Sequence, residues 1–192
     1  VLSSVIKSDG SGGDLLKLPA GGSAIPTSYE SVNSQLHFIQ MNGREVFRFA
    51  TRVMARVSDE ALRKADLTTD DVELIIPHQA NIRIIETAAK RLKMPMDRFA
   101  VYLSEYGNTS AASIPIAAVK AYEDGRISPE DIIVLTGFGA GLTWGASVVE
   151  WSGPLAEKAE FSLYRFNIFA RLISLLRKAW RRIESLFYRN GK

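Results

Sequence analysis

The sequence contains no cysteine. A disulfide framework, a cysteine-ligated zinc and a thiol nucleophile are therefore excluded within these residues. Histidine is scarce too. His37 and His78 are the two present, too few for a His-rich metal site. No apolar run reaches the roughly 18 residues that a membrane-spanning helix needs. The start, Val1-Leu2-Ser3-Ser4-Val5-Ile6, has neither a basic leader nor an initiator methionine. No signal peptide is expected there, and the chain reads as a processed piece or a fragment.

What is present is ordinary for a globular protein. Apolar residues make up 46% and charged residues 23% of 192 residues, enough for one large domain or two small ones. The net charge is unevenly spread. Residues 1–153 carry 15 Lys/Arg against 18 Asp/Glu, and residues 154–192 carry 9 against 3. A basic tail is thus joined to a mildly acidic body, and the body gives no sign of a nucleic-acid partner.

Gly, Ser and Pro punctuate residues 1–35, which read as a short strand at Val1–Ser8 followed by a loop. That strand is expected to be an unpaired edge. Helical periodicity runs from Arg44 to Lys64, and a buried strand from Asp70 to Ile76, stopped by Pro77. A helix is predicted over Ile82–Leu92, a strand over Phe99–Leu103, a helix over Ser110–Tyr122 and a strand over Asp131–Thr136. A tight loop follows at 137–141, then a strand over Leu142–Trp151. This order predicts an α/β fold, with helices packed on a mixed sheet. From Pro154 the pattern becomes one long amphipathic helix over 161–189, with seven Lys/Arg and a wide apolar face.

Three segments could carry chemistry. His78, in Pro77-His78-Gln79-Ala80-Asn81, sits where a strand meets a helix, the edge at which α/β sites form. The bland alternative is a histidine that ties its own loop. Asn108, in Gly107-Asn108-Thr109-Ser110-Ala111-Ala112-Ser113, is equally well read as a helix cap. Gly137-Phe138-Gly139-Ala140-Gly141 lets backbone N–H groups approach a ligand, although most such turns are only turns. Together the segments offer two side-chain donors and a backbone donor at one sheet edge. That set suits a negatively charged oxygen and includes neither a nucleophile nor a carboxylate base.

These motifs, with Leu142-Thr143-Trp144-Gly145 and the upstream Met41-Asn42-Gly43-Arg44-Glu45-Val46-Phe47, resemble the C-terminal half of the 3-oxoacyl-[acyl-carrier-protein] synthase III family. The thirty-residue steps from His78 to Asn108 and from Asn108 to Phe138 match that family too. The resemblance covers about residues 1–152 and implies half of a thiolase-like fold. Residues 1–39 would be the end of the first half and a linker, 40–152 the second half, and 153–192 a helical tail. It further implies a decarboxylative condensation of malonyl-carrier-protein with an acyl-CoA primer, initiating fatty acid biosynthesis. His78 and Asn108 match the last two members of a Cys-His-Asn triad and would hold the malonyl thioester oxygen. Phe138 matches the aromatic beside the malonyl site. The Ala140 N–H matches a donor to the acyl-cysteine carbonyl. Asn81 and Arg83 match positions near the pantetheine channel and the carrier-protein docking face.

Two departures stand out. Ala140 replaces a frequent glycine, which leaves the backbone donor in place. The triad's cysteine is absent, and in the family it lies upstream of the matched region, so the chain alone is expected to be inactive. No cofactor is implied. Acyl carrier protein, acyl-CoA and a second copy of the full-length chain are the implied partners, and the cytoplasm the implied location. Residues 161–189, with Trp180 and Phe187 among the basic residues, are expected to touch membrane or partner. The rival reading is a non-catalytic acyl-, carrier-protein- or membrane-binding subunit of the same fold.

Overall fold

The computed structural model describes residues 1–153, which form one compact unit. The tail helix expected over 161–189 lies outside the described residues. The regular elements are β1 (Ser3–Ser8), β2 (Leu16–Lys17), α1 (Tyr29–Asn33), β3 (Gln40–Met41), α2 (Gly43–Lys64), β4 (Leu74–Pro77), α3 (Ile82–Leu92), α4 (Leu103–Tyr106), α5 (Ser113–Glu123), β5 (Ile132–Gly139) and β6 (Thr143–Glu150).

The main sheet has the order β1-β6-β5-β4. β4 and β5 run parallel, and β6 is antiparallel to both β5 and β1. It is the mixed sheet expected from the sequence. Alternation along the strands divides the core in two. Ile75, Val134 and Val148 pack with α2 and α3 on one face, while Leu74, Ile76 and Ile133 pack with Ala117 and Ala121 of α5 on the other. Beyond α5 that second face is bare, Ile6 of β1 being 85% exposed, and the outer side of α5 is apolar as well, with Val119 56% exposed.

The helices have local causes. The Asn42 side chain accepts from the Glu45 N–H to start α2, and Arg63 and Lys64 complement the dipole in its last turn. Asn81 caps α3 by accepting from the Arg83 N–H, and Lys93 ends it in the left-handed region.

Three expectations need correction. The strand near the start is paired throughout, from Ser3 opposite Val148 to Ser8 opposite Thr143. Gly145 permits this, because a Cβ there would lie 2.8 Å from the Val5 carbonyl oxygen. The strand expected over Phe99–Leu103 shrinks to one bridge, Phe99 with Ile75. Past that bridge Pro77 has no N–H to give, and its carbonyl accepts from Gln79 Nε2 at 2.8 Å. The Tyr102 N–H donates to Gln79 Oε1 instead of a strand, and the chain turns into α4. Finally, the loop expected at 137–141 is mostly strand. Gly137, Phe138 and Gly139 pair with Gly145, Trp144 and Thr143, leaving a turn of Ala140, Gly141 and Leu142.

Candidate active site

At the end of β4 and β5 lies an open cleft of about 840 Å³. His78, Asn81, Asn108, Phe138 and Ala140 all line it. Arg83 does not, but its guanidinium sits 5.6 Å over the ring of Phe47, which does. The topology thus brings the expected residues to one place. Asn108 arrives differently from expectation: it follows the short helix α4 through Gly107, at φ +63°, rather than following a strand.

His78 is half-buried. Its Nδ1 lies 2.6 Å from the Ser113 hydroxyl, at the start of α5. The edge of its ring meets Phe138 with centroids 5.4 Å apart, and Phe138 in turn contacts Phe49. Burial pushes the imidazole below the ordinary histidine range, which favours the neutral ring at physiological pH.

Asn108 is exposed toward the cleft, and its Oδ1 accepts from the Ser110 N–H at 3.0 Å. A backbone N–H can only donate, so the amide oxygen is the occupied end. The NH2 group is left as the donor. In the β5–β6 turn the Ala140 carbonyl accepts from the Thr143 hydroxyl at 2.9 Å. Among the described residues the Ala140 N–H has no intramolecular partner. Gly141 allows the turn at φ +130°. Among the described residues no charged side chain lines the cleft. Most of its remaining wall is apolar, from Ile39, Met41, Val46, Ile84 and Trp144, with Ser110 and Thr143 as polar members.

Two residues that shape the site carry no obvious signal in the sequence. Gln79 is 2% exposed and makes three side-chain bonds, Nε2 to Pro77 and Ala100 carbonyls and Oε1 from the Tyr102 N–H. It braces the loop that holds His78. Ser113, also 2% exposed, takes the Gln79 N–H at 3.3 Å in addition to facing His78. Gln79 lies two residues past the proline that ends β4, where His78 is the residue that draws notice. For Ser113 nothing local separates it from its small neighbours.

The chain is similar to known proteins in sequence and in fold. The family model described as 3-oxoacyl-[acyl-carrier-protein (ACP)] synthase III C terminal matches residues 62–151. The beta-ketoacyl-[acyl-carrier-protein] synthase III of Clostridioides difficile (strain 630) is 53% identical over 152 residues, 79% of this chain and 46% of that protein. The chain matches the C-terminal half of 3-oxoacyl-[acyl-carrier-protein] synthase III. Solved structures agree. The synthase III of Thermus thermophilus superposes with a TM-score of 0.69 at 44% identity, covering 79% of this chain and 46% of that one. The synthase III of Aquifex aeolicus VF5 gives 0.69 at 38%, covering 79% and 44%. The fold is therefore thiolase-like, as the motifs implied, and the chain spans about half the length of the curated relatives it matches.

Proposed function

We propose that the chain supplies the oxyanion-stabilising half of a 3-oxoacyl-[acyl-carrier-protein] synthase III, an acyltransferase. The observation that carries this reading is a cleft that no charged side chain lines among the described residues, shared by the His78 ring, which burial holds toward its neutral form, and by Asn108, whose oxygen is already taken by the Ser110 N–H. Donors fixed in a low-dielectric site stabilise charge as it develops, without reorganising.

The chemistry follows from that placement. A malonyl thioester binds with its carbonyl oxygen against His78 and Asn108. The bond to the carboxylate breaks, CO2 leaves, and the electron pair becomes an enolate whose oxygen the two donors hold. The carbanion attacks an acyl group carried on a cysteine of the other half, and the thiolate leaves. The Ala140 N–H serves the oxygen of that second carbonyl. Phe138 excludes water beside the malonyl group. Asn81 and Arg83 flank the channel through which the carrier protein's phosphopantetheine reaches the cleft, the guanidinium of Arg83 being steadied by Phe47. No cofactor is needed, and acyl-CoA, acyl carrier protein and a second full-length copy are the partners.

The domain division at residues 39 and 152 and the membrane contact of 161–189 belong to the same proposal. Among the described residues no helix is long and apolar enough to cross a membrane; the proposed contact is a peripheral one by residues 161–189, from the cytoplasmic side. The deciding experiment measures malonyl-thioester decarboxylation by a full-length protein that includes this chain. His78→Ala and Asn108→Ala should each lower the rate about 10²–10³-fold. Unchanged rates in both variants overturn the assignment.

A further inference from the structure

We propose that Ser113 is a positioning residue whose hydroxyl donates to His78 Nδ1 and so holds the neutral ring with its proton on Nε2. This rests on the reading of His78 as an oxyanion donor, which needs a hydrogen on the nitrogen facing the cleft.

The argument is an accounting of one proton. Ser113 Oγ has one hydrogen to give and two lone pairs. The side chain is 2% exposed, so solvent does not take the hydrogen. Among the described residues Oγ has two partners, the Gln79 N–H at 3.3 Å and His78 Nδ1 at 2.6 Å. The Gln79 N–H can only donate and fills a lone pair. Nδ1 is then the acceptor left for the hydroxyl hydrogen. Were Nδ1 itself protonated, two hydrogens would point at one oxygen from outside and its own would be buried without an acceptor, which is unfavourable. A neutral ring that accepts at Nδ1 carries its hydrogen at Nε2.

The brace extends one step further. Gln79 is fixed by its three side-chain bonds, and its N–H orients Ser113 Oγ, so the tautomer is set by a chain from Tyr102 and Ala100 through Gln79 and Ser113 to His78. None of these groups needs to touch substrate.

The test is 15N NMR of the full chain labelled at histidine, which reads the tautomer without any substrate. With two histidines in the sequence, His37→Gln assigns the signals. The expected result at neutral pH is a single His78 form, with a protonated Nε2 and an unprotonated Nδ1. In Ser113→Ala the two nitrogen signals should move toward each other as both tautomers become populated, and Ser113→Thr, which keeps the hydroxyl, should restore the separation. A wild-type His78 protonated at Nδ1, or an unaltered spectrum in Ser113→Ala, overturns the proposal. Because no turnover is measured, failure here is distinct from failure of the decarboxylation test. Should Ser113→Ala not fold, the wild-type spectrum still decides.

Discussion

Replacing Gln79 by leucine should destabilise the protein strongly, although the side chain touches no ligand. Leucine keeps the volume and removes three hydrogen bonds, at 2.8, 3.0 and 2.9 Å. It leaves the Pro77 and Ala100 carbonyls and the Tyr102 N–H unpaired in a region where Ala100 is 0% and Tyr102 6% exposed. Each orphaned buried group costs about 1–3 kcal/mol. Burial of the leucine side chain returns roughly 1.5–3 kcal/mol. The three orphaned groups together cost about 3–9 kcal/mol, so the net loss should centre on about 4 kcal/mol, a large part of the ~5–15 kcal/mol typical of a folded domain. Urea unfolding checks it: the midpoint should fall while the slope stays constant. Gln79→Glu refines the test. Its carboxyl would face two carbonyl oxygens, so its folded pKa must rise above the ordinary ~4.3 of glutamate. The unfolded state then gives up its proton first, and stability falls as pH rises above about 4.3 until the folded pKa is passed. A midpoint shift in Gln79→Leu worth less than about 0.5 kcal/mol, the scale of an ordinary surface change, would refute the bracing role.

Other outcomes are as specific. His78 has a depressed folded pKa because it is buried, so its neutral form is no handicap above about pH 6.5, and below that the unfolded state takes up a proton first. Wild type should therefore lose stability relative to His78→Gln as pH falls from about 6.5 toward the lowered folded value, which paired denaturant titrations would show. Gly145→Ala sets a Cβ 2.8 Å from the Val5 carbonyl oxygen and should cost about 1–3 kcal/mol through displacement of β1, seen as lost protection of its amides in hydrogen exchange. The 192-residue chain should self-associate through the bare sheet face at Ile6 and the exposed side of α5 at Val119; sedimentation of a monodisperse monomer contradicts this. A peptide of residues 154–192 should bind anionic vesicles at low salt and leave them at high salt, and absence of binding at low salt removes the membrane reading.

Long periodic segments were legible in the sequence, and short paired ones were not. The periodicity of α2 places it to within a residue, and α3 is found over its whole length because Asn81 and Lys93 bound it chemically. The Phe99–Leu103 strand failed because pairing depends on a neighbour, and the neighbour here ends in a proline whose carbonyl a glutamine side chain occupies. The glycines at 137 and 139 read as a loop, yet they are strand residues kept small. A Cβ at Gly137 would come 3.3 Å from Ile114 and 3.7 Å from the Cβ of His78. For the site, His78, Asn108 and the 137–141 segment could be found because they are polar or glycine-rich at element ends. Gln79 and Ser113 could not, since their importance lies in hydrogen bonds to residues 21 to 35 positions away.

The pairing of β1 with β6 joins the two extremes of the described unit. Ser4 meets Ser147, 143 positions further along the chain, hydroxyl to hydroxyl at 2.8 Å. During synthesis β1 leaves the ribosome near the start of this region, and the partner it has among the described residues, β6, comes only after almost all of the region has followed. At about 5–20 residues per second, that wait is on the order of ten seconds. Over this interval a strand containing Val5 and Ile6 is an open template for other chains. Closure of the sheet is then a late, long-range event of the kind that slows folding. Agents that act on nascent chains should therefore protect this region most while β1 waits for β6.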